Sequence, residues 1–278
     1  MAEMLNMKEL ARHMHILFIT LDSLRYDAAI ALFRDHQTPN FRQYCPEGWQ
    51  LCHSPGSFTY AAHHAFFAGF LPTPATPGKT PRLFAAQFAG SETTGEDTLV
   101  FETADIVTGF AGMGFRTVCI GGVGFFNKQT ALGSVLPALF QESYWDRSYG
   151  VTDPDATRRQ FSKAVEVLDS NDQKNQQLFM FINVSAIHQP NYFYHTPVKT
   201  ADTLDSHKAA LRYVDSQLPL LLDAFAQQQR DTFCIICSDH GTAYGEDGYS
   251  GHRIGHPSVW EVPMASFVIK KRVHDNIV

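Results

Sequence analysis

The sequence predicts an α/β protein: a single three-layer sandwich over residues 1–278, with a mostly parallel central sheet and helices on both faces. Three observations predict it. Short apolar runs alternate along the chain with longer stretches of helical periodicity. The short runs are apolar at consecutive positions, as expected of strands covered on both faces. At 278 residues the chain can bury one large core, and no internal repeat or linker divides it.

Taken in order, His15–Leu21 reads as the first strand and runs into Asp22. Tyr60–Ala68 reads as an apolar helix with Thr59 at its N-cap and Gly69 closing it. The four prolines of Pro72–Pro81 make a surface loop. Thr98–Met113 is the next helix, followed by the strand Arg116–Gly121, the helix Asp155–Leu168 and the strand Leu178–Ser185. Ser206–Gln229 carries Ala210, Leu211, Val214, Leu218, Leu221, Leu222 and Phe225 at helical spacing, and Pro219 is expected to kink or divide it. The strands Thr232–Ser238 and Ala265–Lys270 complete the pattern.

Composition excludes several functions. Apolar residues make up 44% and charged ones 18%, a globular balance. A net charge of −6 argues against nucleic-acid binding, which needs clustered Lys and Arg. The cluster Lys270-Lys271-Arg272 is short and reads as a solvated strand end. The first apolar run is too short to span a membrane, and no signal-peptide core precedes it. Five cysteines, an odd number, fit a reducing compartment, so a soluble cytoplasmic protein is expected. Cys234 and Cys237 resemble a CxxC pair, yet residues three apart on a strand face opposite sides and cannot hold one ion.

The chemistry concentrates at strand ends. Asp239 and His240, in Ser238-Asp239-His240-Gly241, follow an apolar strand and suit a metal at the mouth of an α/β sheet. Asp22 ends a second strand, and two such acids can point at one ion. Thr59, beside the free N–H groups of a helix start, can meet an anion, coordinate the ion, ionise and attack an ester. His63 lies one turn beyond Thr59 and is a candidate phosphate contact, whereas His64 points elsewhere. His188 follows another strand, where substrate binding or leaving-group protonation fits. Arg25 and Arg253 are candidate anion clamps. His256 is a candidate substrate contact that shares a helix face with His252 or caps a turn. Asp215 is expected to be structural, and Glu246 and Asp247 to shape the loop presenting His252.

These motifs resemble the sulfatase-like branch of the alkaline phosphatase superfamily. Leu21-Asp22-Ser23-Leu24-Arg25 resembles its first metal-ligand strand end. Thr59, His63, Gly69 and Pro72 resemble the Thr-x-x-x-His…Gly-x-x-Pro nucleophile motif of its phosphodiesterases. Ser238-Asp239-His240-Gly241, Gly245-Glu246, Gly248 and His252 resemble the metal motif of lipid A phosphoethanolamine transferases and lipoteichoic acid synthases. Met113-Gly114-Phe115-Arg116-Thr117 resembles the branch's helix-to-strand junction.

The resemblance implies an alkaline phosphatase-like core; as a departure from the sulfatases, no extended C-terminal subdomain is expected. It implies that Asp22, Thr59, Asp239 and His240 hold one divalent ion. The imidazole favours zinc or manganese over calcium or magnesium. It places His252 at the site through its offset from Asp239. A second ion is left open, because Val184 occupies the position four before His188. The Cys/Ser-x-Pro-x-Arg motif of formylglycine sulfatases is missing: Thr59, Ala61 and His63 stand there. The expected activity is a metal-dependent phosphoesterase or phosphotransferase working through Thr59 on a small-molecule or modified-peptide ester. The alternatives are a sulfate or phosphonate ester hydrolase, and a non-catalytic metal-binding accessory protein of a tailoring pathway with partner proteins.

Overall fold

The computed structural model describes residues 6–69, 105–172, 176–198 and 200–272. Its elements in chain order are α1 (Met7–His13), β1 (His15–Leu21), α2 (Tyr26–Arg34), α3 (Pro39–Tyr44), β2 (Gln50–His53) and α4 (Thr59–Ala68). There follow α5 (Ile106–Gly112), β3 (Arg116–Ile120), α6 (Ala131–Val135), β4 (Glu142–Tyr144), α7 (Ala156–Asp172) and β5 (Leu178–Val184). The last are α8 (Leu204–Ala226), β6 (Thr232–Cys237), β7 (Ala243–Tyr244), β8 (Ser250–Gly251), α9 (Pro257–Trp260) and β9 (Glu261–Ile269).

The central sheet has seven strands in the order β2-β9-β6-β1-β5-β3-β4. β6, β1, β5, β3 and β4 pair in parallel, while β9 runs antiparallel to both β6 and β2. The mostly parallel α/β architecture expected from the sequence is the one observed. Alternation along β1 explains why its whole run is apolar. Leu17, Ile19 and Leu21 join one core with Phe161 of α7 and Leu211, Leu218 and Phe225 of α8. Ile16 and Phe18 join the other with Phe67 of α4, Phe110 of α5 and Phe181 of β5. Thr20 and Asp22 continue the second parity and so point toward α4.

Strands that the pattern missed are short or edge-placed. β2 is a four-residue edge strand that is mostly exposed, and β4 has three half-buried residues. Neither offers the continuous apolar run that marks a buried strand. α8 starts earlier than expected, at a capping box between Thr203 and Ser206. It also runs unbroken through Pro219, with Val214, Leu218, Leu221 and Leu222 buried on either side of the proline. Asp215 of α8 accepts hydrogen bonds from the backbone N–H groups of Asn40 (3.2 Å) and Phe41 (2.7 Å) at the start of α3. Cys234 packs in one core and Cys237 on the opposite face, and burial raises both thiols, so the two do not share a site. The loop 72–81 and the 98–104 part of the expected second helix lie outside the described residues.

His15 at the start of β1 is 3% exposed, and its Nδ1 accepts the Leu178 N–H of β5 at 3.0 Å. Burial, and then the nearby Arg230, hold its imidazole down at about 4. An unfolded histidine takes up its proton near pH 6.5. The folded protein is therefore expected to lose stability as pH falls from 6.5 toward 4, by at most about 3 kcal/mol from this residue. His15→Asn keeps an acceptor for Leu178 and does not titrate. Urea unfolding at pH 7, 5.5 and 4.5 should show a shallower loss for the variant; an unchanged loss would contradict the assignment.

Candidate metal centre

Parallel strands deliver the key side chains to one edge of the sheet, because their C-terminal ends all face the same way. Asp22 directly follows β1, Asp239 and His240 follow β6 after Ser238, and β5 leads through Ser185 to His188. The first turn of α4 brings Thr59 to the same place. Thr59 is the first helical residue rather than the N-cap, which is Phe58, and its hydroxyl makes no capping bond. That corrects the sequence expectation and frees the oxygen. Its Oγ1 lies 3.3 Å from Asp22 Oδ2 and 3.3 Å from His240 Nε2.

Asp22, Asp239 and His240 are fully buried, and one ligand atom from each falls within 4.8 Å of the others. His240 Nε2 lies 3.7 Å from Asp22 Oδ1 and 3.6 Å from Asp239 Oδ2. His240 Nδ1 donates to its neighbour's carbonyl, Gly241 O, at 2.8 Å, so Nε2 carries the free lone pair toward the carboxylates. Asp239 Oδ2 is buried and has no hydrogen-bond partner. Burial and the Asp22 charge push the Asp239 carboxyl well above its ordinary range. Burial also acts upward on Asp22, but His188, His240 and the Asn183 amide outweigh it and hold its carboxyl low. Two buried acids and an imidazole lone pair around an orphaned oxygen fit a divalent cation well. The mixed oxygen and nitrogen donors suit zinc or manganese.

Several residues that sequence reasoning missed hold these ligands. Asn183 of β5 donates to Asp22 Oδ2 (3.2 Å) and to Thr20 Oγ1 (3.3 Å), and its Oδ1 accepts from Val123 N–H (3.1 Å). Ser23 sits at φ 69°, a left-handed conformation costly for a side-chain-bearing residue, and its N–H donates to Asp239 Oδ1 at 3.1 Å. Gly241 is required for close approach: a Cβ there would lie 2.0 Å from Ser258 O, where α9 packs under the ligand loop. One signal was available. Thr20 and Asn183 are polar residues inside otherwise apolar strands, where an unpartnered polar group is costly.

Above the ligands opens a cleft of about 410 Å³ lined by Thr59, His188, His252 and Arg253, with Val123, Phe125, Leu132 and Val151 among its apolar residues. The His252 ring lies between the other two imidazoles, 4.7 Å from that of His240 and 5.5 Å from that of His188. Burial, with His240 and His188 nearby, lowers His252 to about 4.

Three expected substrate contacts lie elsewhere. His63 is fully buried beneath Thr59: its Nδ1 donates to Thr59 O at 2.7 Å, and its Nε2 accepts from Thr20 Oγ1 at 3.0 Å. The helical spacing is right, but the face is the one packed on the sheet. Arg25 is 5% exposed and forks onto Asp27 (2.8 and 2.6 Å) while pairing with Glu246. It ties the Asp22 segment to the loop after His240 and is spent on that pairing. His256 is the N-cap of α9, accepting from Ser258 N–H at 3.1 Å and donating through Nε2 to Asp247. No helix joins it to His252.

The orphaned Oδ2 makes Asp239→Asn informative. The amide cannot ionise, so the metal-free protein no longer has to bury a charge or take up a proton there on folding and is expected to gain about 1–3 kcal/mol of stability at neutral pH. The same change should abolish the stabilisation that zinc or manganese gives the wild type, about 3 kcal/mol at a hundredfold excess over Kd. Thermal unfolding with chelator and with metal measures both; a variant still stabilised by metal would remove Asp239 from the ligand set.

Solved structures share this fold. The C-terminal periplasmic domain of phosphoethanolamine transferase EptC from Campylobacter jejuni superposes with a TM-score of 0.60 at 12% identity, over 92% of this chain and 79% of that one. The corresponding EptC domain of Escherichia coli, in complex with Zn, gives 0.63 at 14% identity, over 93% of this chain and 74% of that one. The PsFucS1 sulfatase from Pseudoalteromonas sp. gives 0.57 at 16% identity, over 94% of this chain and 63% of that one. At these identities the likeness is one of fold, the alkaline phosphatase-like α/β sandwich. No curated protein matches the sequence. No described helix is long and apolar enough to cross a membrane. The family model described as Sulfatase matches residues 14–267, from the start of β1 through most of β9, and this chain belongs to that family.

Proposed function

We propose that this chain is a metal-dependent hydrolase or transferase of phosphate esters, mono- or diesters, with Thr59 as nucleophile and a covalent phospho-threonine intermediate. The observation that carries the reading is the position of the Thr59 hydroxyl, 3.3 Å from both Asp22 Oδ2 and His240 Nε2 and free of any capping bond. Asp22, Asp239, His240 and Thr59 would hold one zinc or manganese ion. When bound, that ion lowers the pKa of the threonine hydroxyl and offsets charge on the non-bridging oxygens of the ester.

The chain's own groups divide the remaining work. Thr59 Oγ1, which has released its proton to water on ionising, forms a bond to phosphorus while the ester P–O bond breaks. The departing alcohol takes its proton from His188, whose Nδ1 donates to Gln189 O and whose Nε2 is left for the cleft. In the second displacement, water or an acceptor alcohol attacks phosphorus and gives its proton to His252, the Oγ1–P bond breaks to release Thr59 as the alkoxide, and the proton passes from His252 to His188, whose ring centre is 5.5 Å away, to reset the cycle. The first amides of α4, at the positive end of the helix, face the anion. A small-molecule or modified-peptide ester fits the cleft. The five free thiols support cytoplasmic placement as part of the proposal.

A second reading, sulfate-ester hydrolysis at the same site, is favoured by the family match. Aryl phosphate, phosphodiester and aryl sulfate should be assayed with zinc or manganese. Phosphate-ester turnover is expected to lead. Thr59→Ala should lower kcat by roughly 10³-fold or more with metal still bound, and Thr59→Ser should retain part of it. Faster turnover of the sulfate would replace the first reading with the second. Equally negligible turnover by wild type and Thr59→Ala, with metal bound, would make the protein a non-catalytic accessory.

A further inference from the structure

Arg253 differs from the other charged residues near the centre in how it is held. Its backbone N–H donates to Ser57 O at 2.8 Å, and the residue sits at φ 69°. A left-handed arginine is strained by about 1 kcal/mol or more, and such strain gathers at functional sites. Its guanidinium lies 5.3 Å above the Phe58 ring, next in sequence to Thr59. That cation–π contact leaves the hydrogen-bonding fork open. Among the described residues no carboxylate pairs with it, although the chain carries a net charge of −6. Arg25 shows the contrast, being tied to Asp27 and Glu246.

The position is also specific. Arg253 is exposed and lines the same cleft as Thr59, His188 and His252. The Phe58 ring beneath it meets Phe125 at 6.4 Å, and Phe125 belongs to the apolar wall with Val123, Leu132 and Val151. A cation therefore borders an apolar surface that begins beside the nucleophile. We infer that Arg253 selects the substrate by its non-reacting arm. It takes a second negative group, such as a carboxylate, joined to the reacting ester by an aromatic or aliphatic body lying on Phe125, Leu132 and Val151. The substrate class is an ester of an anionic, apolar-bodied alcohol. The inference rests on the reading of Thr59 as the reacting centre, but concerns the opposite end of the molecule.

Binding tests it without turnover. Zinc-loaded wild type is titrated calorimetrically with phenylphosphonate and with 4-carboxyphenylphosphonate, neither of which can transfer its phosphorus group. The carboxylated compound is expected to bind about tenfold more tightly. Arg253→Met should erase that preference while leaving phenylphosphonate within about threefold, and Arg253→Lys should keep part of it. Methionine is also a side-chain-bearing residue at φ 69°, so melting curves of the variants should match the wild type. Equal binding of the two compounds by wild type overturns the assignment. So does equal weakening of both by Arg253→Met, or binding of neither. A wild type that shows the preference yet turns over no ester overturns the proposed reaction and leaves the role of Arg253 standing.

Discussion

Two carboxylates forced together out of water set the terms for this structure. Asp22 and Asp239 end strands that lie side by side in the sheet, and both are fully buried. Burying one charge costs several kcal/mol, and burying two of the same sign costs more. The surroundings offset part of this through N–H and amide donors. The Ser23 and His240 amides both reach Asp239 Oδ1, and Asn183 reaches Asp22. Oδ2 of Asp239 is left over. A cation between the acids would resolve the conflict without protonating Asp239, which makes the site a candidate binding centre.

The support around the centre is built in layers that fix tautomers as well as positions. His240 and His63 each donate from Nδ1 to a carbonyl, which settles where the lone pair of each ring points. In His240 it points at the acids; in His63 it points at Thr20, so that ring braces α4 from below. Arg25 binds the segment after Asp22 to the loop after His240. His207 of α8 extends this brace: its Nε2 accepts from the Arg25 N–H, and Tyr244 OH bonds its Nδ1 at 3.0 Å. The segments that carry Asp22 and His240 are thereby held to each other and to α8.

Much of this was legible in the sequence, for a physical reason. Strands covered on both faces must be apolar throughout, so β1, β3, β5 and β6 announce themselves, and a charged residue at the end of such a run stands out. Asp22, Asp239 and His240 stood out that way, and the structure brings the three together. Thr59 was found through its helix, although it proved to be the first helical residue rather than the cap. His63 and Arg25 lie away from the cleft, and His256 takes the capping alternative rather than the shared helix face, because spacing fixes which residues are neighbours, not which nitrogen or guanidinium is already engaged. Asn183 and Ser23 were missed because their roles depend on strands and turns brought together from distant parts of the chain. β2 and β4 were missed because edge strands lack the apolar run.

The order of the sheet also bears on when the centre can exist during synthesis. Ser23 and Asp239 are 216 residues apart, and β9 is wedged between β2 and β6 after the ligand loop has been laid down. A ribosome delivers β1 long before β6, so the nascent polypeptide carries half of a cage through nearly the whole of translation. An ion shared by these two acids could be held only after β6 has paired with β1, and not by an early fragment of the chain.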